Sequence, residues 1–190
     1  MEKFIVGLFS LMFVVTFLSI GESAEYVGGA KCKACHMKQY KAWGKTKMAT
    51  SFENLKPGVK AAEKTNAKID PNKDYTTDPK CLKCHTTGYG KPGGFKSFAE
   101  TPNMINVQCE ACHGPGSEFT QIMKKNKEFK LDEVKAVGYV FPRDPEAEKE
   151  CLECHGADSP FNEKVDPKYK FVFKDRLKTT HEHFELKYKH

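Results

Sequence analysis

The eight cysteines of this chain fall into four pentapeptides of one form: Cys32-Lys33-Ala34-Cys35-His36, Cys81-Leu82-Lys83-Cys84-His85, Cys109-Glu110-Ala111-Cys112-His113 and Cys151-Leu152-Glu153-Cys154-His155. No cysteine is left over, and four of the seven histidines are used. Chance supplies about 0.01 such boxes in a chain of this composition. Two residues between the cysteines, on a turn of helix, bring both thiols to the two vinyl groups along one porphyrin edge. The next residue, His, then lies under the ring and gives a nitrogen to the iron. The spacing therefore predicts four covalently bound c-type haems. Cys32, Cys35, Cys81, Cys84, Cys109, Cys112, Cys151 and Cys154 are the attachment residues, and His36, His85, His113 and His155 the proximal ligands. Structural disulfides would not require a His after every second Cys. Zinc ribbons leave the fixed His unexplained. Thioredoxin-like redox pairs are usually single and sit beside a βαβ pattern, which is absent.

The chain opens Met1-Glu2-Lys3, runs apolar from Phe4 to Ile20, and leaves through Gly21-Glu22-Ser23-Ala24. This is the layout of a secretory signal. The expected organisation is a signal peptide over 1–24 and a tetrahaem cytochrome c domain over 25–190, periplasmic or extracellular. The rival is an uncleaved N-terminal anchor, and membrane contact is expected only in that case. The formal charge is +6. An exported chain rarely meets nucleic acid, so no such partner is expected, and the lysine excess is read as compensation for haem propionates.

Sixth ligands decide between wire and enzyme. Only His181, His183 and His190 remain, all at the C-terminus, so the four haems cannot all be bis-His within one chain. Met48 is the leading substitute. It lies 12 residues after His36, and a helix over 35–54 would carry it about three turns from the first box. Packing in the core is the rival role for Met48. Met37, Met104 and Met123 are weaker candidates. His181 and His183 alternate along an extended segment and would point to opposite sides.

Four haems in so short a chain leave little room for a core made of side chains alone. The expected fold is mainly α with long irregular loops, wrapped around stacked haems. Further helices are expected over 59–66, at box two, from Glu118 to Lys127 behind a Ser117 N-cap, over 131–137, and from about 145 to 155 behind Asp144 and Pro145. The Gly88–Phe95 stretch would let backbone approach a flat ring, or simply turn. Phe171-Val172-Phe173 is too short for a strand. Box starts are 49, 28 and 42 residues apart, which argues against a solenoid.

Two phrases carry a resemblance: Cys32–His36 with Trp43 and Met48-Ala49 downstream, and Val107-Gln108-Cys109-Glu110-Ala111-Cys112-His113-Gly114-Pro115-Gly116-Ser117. Over residues 26–156 the chain resembles tetrahaem c-type cytochromes of the kind that accept electrons from hydroxylamine oxidoreductase. The resemblance implies a mostly helical fold, closely stacked haem pairs and a role in electron transfer. Members often have a His where Met48 stands, and some keep one five-coordinate haem.

No nucleotide or phosphate motif is present. The favoured reading is an exported electron carrier that serves redox partner proteins. Two alternatives stand beside it. One is an oxidoreductase acting on a small molecule such as nitric oxide, nitrite or hydroxylamine at a haem without a sixth ligand. The other is a self-assembling subunit of an extracellular filament, with the C-terminal histidines completing a haem in the next copy.

Overall fold

Helices in this chain are short because the sequence interrupts them every few residues. The computed structural model describes residues 23–141 and 147–177. The signal segment up to residue 22, Asp144, Pro145, His181, His183 and His190 lie outside the described residues. Within them run α1 (Gly29–Lys33), α2 (Met37–Trp43), α3 (Ala61–Asn66), α4 (Pro79–His85), α5 (Glu110–His113), α6 (Ser117–Lys125), α7 (Leu131–Ala136), α8 (Glu148–His155) and α9 (Phe173–Leu177). Three 3₁₀ stretches, Lys47–Leu55, Pro102–Met104 and Pro167–Tyr169, join them. The architecture is mainly α with irregular loops. Among the described residues the only β pairing is an isolated bridge between Thr86 and Ile105. The longest of these helices, α6, has nine residues. Helices this short are marginal alone in water, so tertiary contacts hold them.

The helix expected over 35–54 is not continuous. Box one straddles the end of α1, and His36 is the N-cap of α2. The chain then breaks after Trp43: the Thr46 hydroxyl and amide both donate to the Trp43 carbonyl, at 2.7 and 2.8 Å. The Trp43 indole N–H donates to the Val107 carbonyl at 2.8 Å, tying the break to the approach to box three. Beyond the break the backbone is 3₁₀, with a non-helical Thr50 (φ −127°, ψ 17°).

The expected helices over 59–66 and 131–137 are present as α3 and α7, and that of box two as α4. Asp78 caps α4, accepting from the Lys80 amide at 3.0 Å, with Pro79 in the first turn where its missing N–H costs nothing. Ser117 is not the N-cap of α6. Gly116 takes that position, and the Ser117 hydroxyl accepts the Glu25 amide at 2.8 Å instead. A long-range tether has displaced the local cap. Phe171-Val172-Phe173 forms no strand; Phe173 opens α9.

One apolar cluster lies beside box two: Phe52, Leu55, Tyr75, Leu82, Phe95 and Met104, flanked by Tyr26, Ile69, Tyr89 and Ile105. A smaller aromatic group stands behind box three. There Phe119 stacks on Tyr139 at 4.4 Å and meets Phe129 edge-on, and Val134 is fully buried.

Candidate haem-binding site

Three of the four boxes end on short helices, and box one ends at His36, the N-cap of α2. Boxes two and four occupy the last turns of α4 and α8, and box three forms α5. Tertiary folding brings them together in an order that differs from their order in the chain. The Cys32 thiol hydrogen-bonds to Cys109, joining boxes one and three; the contact raises the pKa of Cys32 and lowers that of Cys109. The Cys154 thiol hydrogen-bonds to Cys84, joining boxes four and two, and brings Cys84 down to about 7. Helices α5 and α8 touch, and Cys112, pushed up to about 12 mainly by burial, also feels Cys151. In space the boxes therefore run one, three, four, two.

Two of the predicted proximal histidines are held by backbone carbonyls. His85 Nδ1 lies 2.6 Å from the Ser51 carbonyl and His113 Nδ1 3.1 Å from the Val140 carbonyl. A carbonyl can only accept, so Nδ1 carries the hydrogen, and Nε2 is the nitrogen that would serve a metal. Burial presses His85 toward the neutral imidazole, below the ordinary histidine pKa. His155 stacks on Phe171, centroids 4.8 Å apart and planes 7° apart, and His113 stacks on Tyr139 at 5.4 Å. Sequence reasoning finds none of these partners. Ser51 and Val140 act through main-chain oxygens, which leave no trace in residue type.

Gln108 and Glu110 form a polar clamp that sequence reasoning also misses. Glu110 is 2% exposed. Its carboxylate accepts from the amides of Val27 (2.9 Å), Gly28 (2.7 Å) and Gly116 (2.7 Å). Burial pushes its pKa above the usual carboxylate range, and the three amides pull it partly back. The Gln108 side chain accepts from the Gly29 amide at 2.6 Å and donates to the Asn103 and Ile105 carbonyls, each at 2.7 Å. Together they fasten the segment entering box one onto box three, and so set Cys32 beside Cys109. Gly114 (φ +79°) and Gly29 are needed there: a Cβ on the first would strike the Gly138 carbonyl, and one on the second would sit 2.8 Å from Gln108 Oε1. The flat ring that the glycine stretch does approach is Tyr26, against which Gly88 (φ +67°) lies.

Met48 sits half-buried at the start of the first 3₁₀ stretch, its carbonyl accepting from the Val107 amide at 3.2 Å. With no continuous helix, the three-turn offset from box one does not apply. Met104 is core, with its Sδ beside Gly28. Met37 is exposed and Met123 half-buried on α6.

These residues fit covalent c-type haem. Every cysteine is a free thiol, and each box sets two of them beside a histidine. Among the described residues no three His, Cys, Asp or Glu side chains converge as a zinc site requires. A cavity of about 260 Å³ opens between boxes two, three and four, lined by Cys84, Cys154, Ala111, Gly88 and Tyr26.

The family described as "Cytochrome c554 and c-prime" matches residues 31–114. Cytochrome c-554 of Nitrosomonas europaea is 36% identical over 191 residues, covering 88% of this chain and 80% of that protein. The solved structure of the reduced state of cytochrome c554 from Nitrosomonas europaea superposes with a TM-score of 0.75 at 35% identity, covering 87% of this chain and 89% of that one. With its boxes, its helical fold and this likeness, the chain belongs to the cytochrome c554 family of c-type cytochromes, electron-transfer proteins with covalently bound haem iron.

Proposed function

We propose that this protein is an exported tetrahaem electron carrier. The signal peptide spans 1–24, and one haem attaches at each of the four boxes through Cys32/Cys35, Cys81/Cys84, Cys109/Cys112 and Cys151/Cys154. His36, His85, His113 and His155 are the proximal ligands. The observation that carries this reading is the contact of Cys32 with Cys109 and of Cys84 with Cys154. Attachment sulfurs that touch across boxes set the bound porphyrin edges near one another. The bound haem iron supplies reversible one-electron redox chemistry. The chain contributes spacing through the Glu110 and Gln108 clamp. It sets ligand orientation through the Ser51 and Val140 carbonyls, and it excludes water with the Phe52–Phe95 core. Redox partner proteins deliver and remove the electrons.

A pyridine haemochrome assay with intact mass tests this. Four haems per chain and a new N-terminus near Ala24 are expected. A colourless product with free thiols or zinc, from a host competent in cytochrome maturation, defeats it.

Distal ligands are drawn from Met48, His181, His183 and His190. A thioether ligand raises a haem's potential relative to bis-His. Met48→His is therefore expected to lower one of the four midpoint potentials in a spectroelectrochemical titration, and an unchanged titration removes Met48 from the set. The shortage of spare histidines favours a second reading, in which one five-coordinate haem turns over a small nitrogen compound. A high-spin ferric signal in the oxidised electron paramagnetic resonance spectrum supports it, and an all-low-spin spectrum removes it.

A further inference from the structure

Charge is unevenly distributed along this chain. From Tyr26 to Phe52 the sequence holds Lys31, Lys33, Lys38, Lys41, Lys45 and Lys47 and neither Asp nor Glu. All six lysines are exposed. Lys31 and Lys33 lie in the last turn of α1, and Lys38 and Lys41 share a face of α2, three residues apart. Lys45 and Lys47 stand on either side of Thr46. Helices α1 and α2 pack on each other, so Lys31, Lys33, Lys38 and Lys41 lie on the two helices that meet at box one, and Lys45 and Lys47 follow within four residues of the end of α2. By contrast, α8, which carries box four, holds Glu148, Glu150 and Glu153 against Lys149.

Two observations independent of charge single out the same place. Cys35 is the one exposed attachment thiol among the eight; the others are partly covered. Met37 beside it is 42% exposed, as is Leu152 of box four at 43%, so it is the Cys35 exposure that sets box one apart. Box one is also a terminus of the one, three, four, two order. The other terminus, box two, lies under the apolar cluster, with Leu82 at 4% exposure and His85 against Ser51. An electron path through this molecule therefore has one end covered and one end open.

We propose that the α1–α2 face is the docking surface for an electron-carrying protein with an acidic contact face, and that electrons cross at the box-one end. This rests on the reading that box one carries haem. A lysine field raises encounter rates and orients the partner, and exposed charges act only within a Debye length, so both effects fade with salt. One electron crosses per event, with no covalent bond or proton to move.

The test uses the holoprotein and oxidised flavodoxin, an acidic redox protein, as probe. Affinity is measured with both partners oxidised, so that it does not depend on turnover. The triple variant Lys33→Glu, Lys41→Glu, Lys45→Glu is compared with Lys124→Glu, Lys125→Glu, Lys130→Glu, which changes net charge equally on α6 and the approach to α7. At low ionic strength the first triple is expected to weaken binding about tenfold and the second less than about twofold, with the difference lost near 0.5 M salt. Reduction by flavodoxin hydroquinone should slow in the same ratio. Equal losses in the two triples, or no loss in either, overturns the docking surface alone. A haem count below four in the wild type defeats the tetrahaem reading instead.

Discussion

Glu110 shows how much of this site rests on single side chains. Its carboxylate is buried inside box three, and among the described residues no cation pairs with it; three backbone amides hold it. Glu110→Ala strands those donors, each a buried polar group whose loss of a partner costs about 1–3 kcal/mol. A fall of about 3 kcal/mol in chemical denaturation is expected, together with disturbed coupling between the two haems proposed at boxes one and three. Glu110→Gln keeps one oxygen but turns an amide N–H toward the Gly28 amide, and is expected to cost roughly 1–3 kcal/mol. The pH dependence carries a sign. Burial raises the folded-state pKa above the unfolded value, so the folded state holds the proton longer. The stability of the wild type then falls as pH rises from the ordinary carboxylate range toward neutrality. The Gln variant lacks that slope, and denaturation midpoints measured across the interval compare the two.

At the scale of elements, the helices are bounded by tethers as much as by local signals. Asp78 and Pro79 start α4 as their residue types predict. Trp43, by contrast, spends its indole N–H on Val107, and Ser117 spends its hydroxyl on Glu25, 92 positions away. Each of these long-range bonds replaces what local propensity would choose. Gly114 links α5 to the turn at Gly138. Gly114→Ala must adopt φ +79° with a side chain and also displace the Gly138 carbonyl. The expected outcome is a loss of about 2 kcal/mol or more, read by guanidinium denaturation, with less of the haem proposed at box three. Phe95, 1% exposed and in ring contact with Phe52 and Tyr89, is the core residue whose removal should hurt most. Phe95→Ala is expected to cost about 3–5 kcal/mol.

Across the whole molecule, the buried apolar side chains of the described residues make one cluster of six, with Phe129, Val134, Ala147 and Phe173 buried outside it. Helices of nine residues or fewer cannot stand on that alone. The chain expressed with all eight cysteines changed to serine is therefore expected to lose most of its helical circular dichroism, whereas changing one box should remove one of the four haems proposed and leave the remainder folded.

Legibility in the sequence depends on range. The c-type haem character of the family, the mainly helical class and the helices expected over 59–66, at box two and over 131–137 are legible, because each is written in a few neighbouring residues: a fixed spacing, a cap, an apolar period. The continuous helix over 35–54 and the Ser117 cap are misreadings, because bonds to Val107 and Glu25 decide them and no local pattern encodes a partner so distant. The same holds for the clamp of Gln108 and Glu110, where residue type suggests solvent and burial supplies three amides. Spacing along the chain picks out the four boxes. Only the tertiary structure decided that box one meets box three and box two meets box four, since that neighbourhood is set by hydrogen bonds and packing between segments the sequence keeps far apart.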